Sequence, residues 1–270
     1  MLPEGTFAGT VVVVTGGGTG LGKAIGVEFA RLGAAVAVAS RDAGHGAAGI
    51  AAMEAVGGRA VAVRVDVRDP GSVAHAFDAV EQELGPAAIL VNNAAGNFTA
   101  RAEAMSPNAW RSVTGIVLDG TFFCSTEFAR RRIAAGQGGA VLNIGATYSW
   151  TGGPGTAHSA AAKAGVTNLT QSLAVEWAPH GIRVNCLAPG LFPHDDLPPS
   201  LRRGRSEADD ARRVPAGRVG RPHELGWAAT FLCSPYATYL SGHTLVLDGA
   251  NWLRRGLRMP AFVPVADQLD

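Results

Sequence analysis

The sequence is short of lysine, of aromatic residues and of net charge. Among its 270 residues only Lys23 and Lys163 are lysines, 7% are aromatic, and the formal charge is +1. Such a chain lacks the field that gathers nucleic acid in bulk, so no nucleic-acid partner is expected and recognition has to come from a pocket. Cysteine is scarce as well. Cys124, Cys186 and Cys233 stand far apart inside apolar segments, with neither CxxC nor metal-ligand spacing, and read as buried small hydrophobes in a reducing compartment. No apolar run reaches the roughly eighteen residues of a membrane span, and no basic segment followed by an apolar one opens the sequence. The expectation is a cytoplasmic protein without a membrane or a metal.

What the sequence has is glycine, 36 residues of it, and a 47% hydrophobic content. Apolar, β-rich runs recur at 11–16, 34–40, 59–67, 87–95, 139–146, 182–190 and 242–249. Between them lie stretches of helical length near 20–32, 43–57, 70–84, 107–135, 157–178 and 221–234, several opened by Pro or Ser. Strands alternating with helices predict an α/β fold: a single Rossmann-type domain over 1–270, with a doubly wound, parallel, seven-stranded sheet and helices on both faces. One stretch departs from the pattern. "LFPHDDLPPSLRRGRSEADDARR", at about 191–213, is rich in proline and charge and follows a strand directly. An insertion there overhangs the carboxyl edge of the sheet, where open α/β folds bind ligands.

The segment "TGGGTGLG", Thr15 to Gly22, follows the first strand and opens a helix. Gly16, Gly20 and Gly22, with Gly18 among them, permit a tight turn and close backbone approach to a pyrophosphate. Thr19 and Leu21 complete the turn. At the end of the second strand stand Ser40 and Arg41, where a site for NAD would place an acid on the ribose 2′-hydroxyl. A cation there favours a 2′-phosphate, hence NADP(H), although Asp42 lies one residue on.

These motifs, with Asp66 and Val67 after the third strand, "NNAAG" (containing Asn93 and Ala94) after the fourth, and Pro189–Gly190 after the sixth, resemble the short-chain dehydrogenase/reductase family over nearly the whole chain. The resemblance implies a dinucleotide across these strand ends, with Leu191 and Phe192 supplying backbone groups in place of a threonine that many relatives carry. It also exposes a departure. The family's catalytic serine and tyrosine positions read Ala146 and Ser159, and its helix asparagine reads Val117, while Lys163 survives. Ordinary ketone reduction, in which a phenol protonates the carbonyl oxygen, should be crippled at such a site.

Tyr148 lies two residues past Ala146 and Asn97 in the loop after the fourth strand. "NNAAGNF", "SPNAW", "IVLDGTFF", a Tyr fifteen residues before Lys163 and a Ser at 159 are similar to the NADPH-dependent 2,4-dienoyl-CoA reductases of unsaturated fatty acid β-oxidation. That likeness implies that Tyr148 and Asn97 hold the thioester oxygen of an acyl-CoA, that Lys163 holds the cofactor ribose, and that Ser159 supports the site. It further implies acyl-CoA contacts from Arg68, Phe98, Ser106 and Arg202, and a homotetramer. Two other readings stay open: reduction of a 3-oxoacyl or other carbonyl group with Tyr148 as acid, and an inactive NADPH-binding sensor or scaffold.

Overall fold

The computed structural model describes residues 2–194, 206–253 and 264–269. Seven strands form one sheet: β1 (Val11–Thr15), β2 (Ala35–Ser40), β3 (Arg59–Arg64), β4 (Ile89–Asn92), β5 (Gly139–Ile144), β6 (Ile182–Pro189) and β7 (Thr244–Leu247). Every pairing is parallel. The spatial order β3-β2-β1-β4-β5-β6-β7 reverses direction between β1 and β4. A crevice opens at such a reversal, outside the carboxyl ends of the strands.

The strands are apolar on both sides because both sides are covered. Along β1 and β2, Val12, Val14, Val36 and Val38 point into one core with Ile25, Phe29 and Leu225. Their neighbours Val11, Val13, Ala37 and Ala39 point into the other with Phe77, Phe128 and Trp177. The two-residue period of a strand makes this division, and each fully buried valine contributes roughly 1.5–3 kcal/mol. β3, at the sheet edge, is the exception and shows mostly exposed or half-buried residues.

Local chemistry starts the helices where the sequence predicts. Asp42 Oδ1 caps α2 (Ala43–Glu54) by accepting from the His45 N–H. Asp69 caps α3 (Pro70–Glu83) and Ser106 caps α4 (Pro107–Thr114), each with proline in the first turn. α1 (Gly20–Arg31) differs, since Thr19 makes no side-chain cap bond.

The helix expected over 107–135 runs without a break from Pro107 to Ala134 but changes its winding within. A π-helical stretch, Gly115–Asp119, separates α4 from α5 (Gly120–Ala134). Val113 and Val117, with Phe98 and Leu118, pack there on Ala162 and Val166 of α7 (Ala157–Trp177) as a third small core. One-turn π segments of this kind gather at functional sites. Of the insertion at about 191–213, the described part contains the turn Leu191–His194 and a short helix, Glu207–Ala211.

Candidate functional site: a cleft at the carboxyl edge of the sheet

The reversal between β1 and β4 holds a cleft of about 830 Å³. Its walls come from the ends of six strands. Gly16 and Thr19–Leu21 follow β1, Ala39–Asp42 end β2, and Val65 and Val67 follow β3. Asn93–Ala95 follow β4, Ile144–Ala146 end β5, and Pro189, Gly190 and His194 belong to β6 and the turn beyond it. Tyr148 and Lys163 close one end and Arg41 the other.

The glycine turn is held open by its neighbours. Thr15 Oγ1 accepts from the backbone N–H groups of Asn93 and Ala94, both at 3.0 Å. Asn93 Nδ2 donates back to the carbonyls of Thr15 and Gly16 at 3.0 and 3.2 Å. These bonds knit the turn after β1 to the turn after β4. Gly16 and Gly20 have φ of +64° and +51°, a region that disfavours side chains. Thr15, Gly18 and Gly22 therefore shape the turn from behind, while Gly16, Thr19, Gly20 and Leu21 face the cleft.

At the far end, Ser40 and Arg41 line the cleft as expected. The neighbouring acid is occupied: Asp42 caps α2, and the His45 N–H holds its carboxyl below the usual range. Arg41 is thus the exposed charge at the place where a 2′-phosphate would sit. Val67 reaches the lining, whereas Asp66 grips Arg68 in a two-oxygen ion pair, with Nη2 at 2.5 Å and Nε at 2.9 Å. Arg68 lowers the Asp66 carboxyl to about 2.

The reactive end is built on α7 and a one-turn helix, α6 (Tyr148–Thr151), that follows β5. The Tyr148 hydroxyl lies 3.1 Å from Ser159 Oγ. The residue at the family's tyrosine position and the tyrosine from the loop are thus hydrogen-bonded partners. Ala146 is buried and offers no hydroxyl. Lys163 is 7% exposed, and its Nζ donates to the Ile144 carbonyl instead of to Ser159 one turn earlier. Burial pulls the Lys163 ammonium down to about 8, and pushes the nearby Cys186 thiol up to about 11.

Behind these groups runs a buried amide ladder that pattern reading missed. Asn92 Nδ2 donates to Ser125 Oγ at 2.8 Å and to Asn143 Oδ1 at 2.9 Å, and Asn143 Nδ2 donates to Thr170 Oγ1 at 2.9 Å. The ladder ties β4, β5, α5 and α7 together one layer beneath Lys163. Polar residues inside hydrophobic strands were its only trace in the sequence.

Several residues expected at the site stand apart from the cleft. Asn97 is exposed and outside the lining, with its Oδ1 accepting from the Phe98 N–H at 2.9 Å. Phe98 is half-buried with its ring 4.3 Å from that of His158. Ser106 Oγ serves as the α4 cap, accepting from Ala109 at 3.1 Å. In the turn after β6 the side chains divide between core and cleft. Phe192 is buried, packed against Gly220, and neither it nor Leu191 lines the cleft; His194, two residues further on, does. An aromatic ring beside apolar neighbours went to the core, and the polar ring stayed at the surface of the cleft. His45 is a second lining residue that the motifs did not indicate. Arg202 lies outside the described residues.

The fit to a dinucleotide is good on these grounds. The cleft runs from an arginine, past a glycine turn at a helix N-terminus, to a buried lysine, and its size suits a ligand of that length. Among the described residues, no group of three or more His, Cys, Asp or Glu side chains is placed to hold a metal. Among the described residues, no helix is long and apolar enough to cross a membrane.

Residues 16–250 match the family model described as enoyl-(acyl carrier protein) reductase. The chain is 41% identical over 244 residues to a Bacillus subtilis protein named a probable 2,4-dienoyl-CoA reductase, (2E)-enoyl-CoA-producing; the match covers 90% of this chain and 96% of that one. It is 39% identical over 277 residues to a Caenorhabditis elegans protein named probable 2,4-dienoyl-CoA reductase 3, (3E)-enoyl-CoA-producing, covering 99% and 89%. Among solved structures, a gluconate 5-dehydrogenase from Burkholderia cenocepacia in complex with NADP and tartrate superposes with a TM-score of 0.83 at 32% identity, covering 92% of this chain and 97% of that one. On its sheet, its glycine turn, its buried lysine and these matches, the chain belongs to the short-chain dehydrogenase/reductase family.

Proposed function

We propose that the protein uses NADPH to reduce the conjugated diene of a 2,4-dienoyl-CoA thioester to a 3-enoyl-CoA. The observation that carries this reading is the Tyr148–Ser159 hydroxyl pair at 3.1 Å in a cleft whose family serine position is Ala146. The phenol enters from the α6 turn after β5, so it addresses a different point from a phenol on α7. A substrate whose reacting carbon and charge-bearing oxygen are several bonds apart suits that displacement. The names carried by the relatives point to the same class of substrate.

NADPH, when bound, supplies the hydride that adds to the δ carbon of the diene. The protein's part is to place the charge that follows. As the δ carbon gains its bond, the electron pair of the diene moves through conjugation onto the thioester oxygen. Tyr148 O–H donates to that oxygen, and the Ser159 hydroxyl donates to the phenol oxygen from its other side to fix its direction. Lys163, anchored on the Ile144 carbonyl, holds the cofactor ribose, and Arg41 faces its 2′-phosphate. Proton addition at the α carbon gives the 3-enoyl thioester, and addition at the γ carbon gives the 2-enoyl isomer.

The test is NADPH oxidation with 2,4-hexadienoyl-CoA and, separately, with acetoacetyl-CoA. The proposal expects turnover of the first and little of the second, with the double bond of the product placed by NMR. Faster reduction of acetoacetyl-CoA would favour ordinary carbonyl chemistry by Tyr148. Tight NADPH binding without oxidation by either thioester would favour a sensor.

A further inference from the structure

We propose that Trp150 and Trp252 form the binding surface for the apolar tail of the acyl thioester, so that this pair sets the protein's preference for acyl length. The inference rests on the acyl-thioester reading of the cleft and adds the place where the chain leaves it.

The two indoles come from opposite sides of one strand. Trp150 lies on α6, two residues past Tyr148, in the turn that follows β5. Trp252 lies in the single turn Asn251–Leu253 that follows β7. In the sheet β6 runs between β5 and β7, and Pro189 and Gly190 at its carboxyl end line the cleft. The two rings nevertheless meet, with centroids 5.5 Å apart and planes inclined by 36°. The pair therefore spans the end of β6, at the same end of the cleft as Tyr148 and remote from Arg41.

The framework of the pair is fixed while its aromatic faces are left open. The Trp252 backbone N–H donates to Asp248 Oδ2 at 2.7 Å, and Asp248 packs on Gly190 so closely that a Cβ there would lie 2.4 Å from the Asp248 Cβ. Ala250, just before this turn, has a φ of +67°, the one positive value among the described non-glycine residues. Such a conformation persists only where the surroundings impose it, and it gathers at ligand sites. The Gly249 carbonyl accepts from the Ala216 N–H at 3.2 Å, which ties the segment to the chain beyond the insertion. Trp150 remains 45% exposed and Leu253 59%. Indole held against indole and still half open offers apolar surface that a bound chain would cover.

The substrate supplies such a chain. Carbons 2 to 5 of a dienoyl thioester lie between the phenol and the nicotinamide, so the carbons from the sixth onward leave past the end of β6. The CoA part is polar and charged, whereas this tail is apolar throughout. A methylene fully withdrawn from water is worth about fourfold in affinity, and one laid on a single open face about half that energy, or roughly twofold.

The experiment measures binding apart from turnover. Dissociation constants of hexanoyl-CoA and decanoyl-CoA, which carry no diene to reduce, are determined by calorimetry with NADP⁺ present for the parent protein, Trp150→Ala, Trp150→Phe and Trp252→Ala. Over four added methylenes the parent should prefer decanoyl-CoA by about tenfold to twentyfold. Both alanine variants should cut that preference below about threefold with hexanoyl-CoA nearly unchanged, and Trp150→Phe should keep most of it. Melting curves establish that each variant folds, and light scattering that it keeps the parent's mass. A parent without the preference, or alanine variants that retain it, would overturn the proposal. Equal weakening of both thioesters would also overturn it and place the nucleotide part of CoA on the rings, and a change of mass with the preference intact would assign them to a second copy of the chain. Reduction of 2,4-hexadienoyl-CoA is scored separately: its absence would overturn the reaction reading and leave the tail site standing, whereas failure of the parent to bind either thioester would overturn both.

Discussion

Replacing Lys163 by methionine should make the protein more stable at neutral pH while removing its ability to hold the cofactor. The side chain is 7% exposed, and burial brings its ammonium from an ordinary 10.5 down to about 8. At about 1.4 kcal/mol for each tenfold change, the folded state at pH 7 bears about 3 kcal/mol for keeping that charge out of water. Methionine has a similar length and no charge. It forfeits the bond to the Ile144 carbonyl, which costs about 1 kcal/mol. The balance is a gain of about 2 kcal/mol, or roughly 4–8 °C in Tm for a domain of this size.

The pH dependence has a definite sign. A buried lysine with a lowered pKa destabilises the fold fully below about pH 8. Between 8 and 10.5 the unfolded chain binds the proton and the folded one does not, so the parent gains stability as pH rises. The advantage of Lys163→Met should therefore shrink from about 2 kcal/mol at pH 7 to nearly nothing at pH 10. Urea unfolding of cofactor-free parent and variant at both values reads this directly. A variant less stable than the parent at pH 7, or an advantage that does not change with pH, would refute the reasoning.

Arg41→Glu should weaken NADPH binding by at least about tenfold and improve NADH binding, because a carboxylate repels the 2′-phosphate and accepts from the free ribose hydroxyl; fluorescence titration with the two nucleotides decides it. Ser159→Ala removes the partner of the Tyr148 hydroxyl and should lower kcat with dienoyl-CoA about tenfold, leaving the NADPH dissociation constant unchanged. Asn143→Leu strands the Asn92 amide and Thr170 beneath the site, and should cost about 2–4 kcal/mol of stability in denaturant titration.

Much of the architecture could be read from the sequence because a doubly covered parallel sheet leaves little choice. Runs such as Val11–Thr15 are buried throughout, and that burial is what makes them conspicuous. The glycine turn and Lys163 were legible for a similar reason, since their chemistry requires particular residues at particular spacings. Other features depend on contacts that no local pattern carries. The sequence offers no sign that Gly115–Asp119 winds as a π-helix, because Val113 and Val117 meet Ala162 and Val166 only in three dimensions. Ser159 and Lys163 share a helix face at the expected spacing, yet each finds its partner on the β5 side, Tyr148 for one and Ile144 for the other. Arg68 is held by Asp66 two residues before it, a pairing that no motif announces. Phe192 shows the same limit: the identity of the turn was legible, and the way its side chains divide between core and cleft was settled by packing on Gly220.

The most direct test concerns the phenol of Tyr148. Tyr148→Phe keeps the ring and deletes only the hydroxyl that faces Ser159. With 2,4-hexadienoyl-CoA and NADPH, its kcat should fall by about 10²–10³, the usual loss when one donor to a developing oxyanion is removed, while NADPH binds as tightly as before. A variant that reduced the dienoyl thioester within threefold of the parent rate would contradict the account.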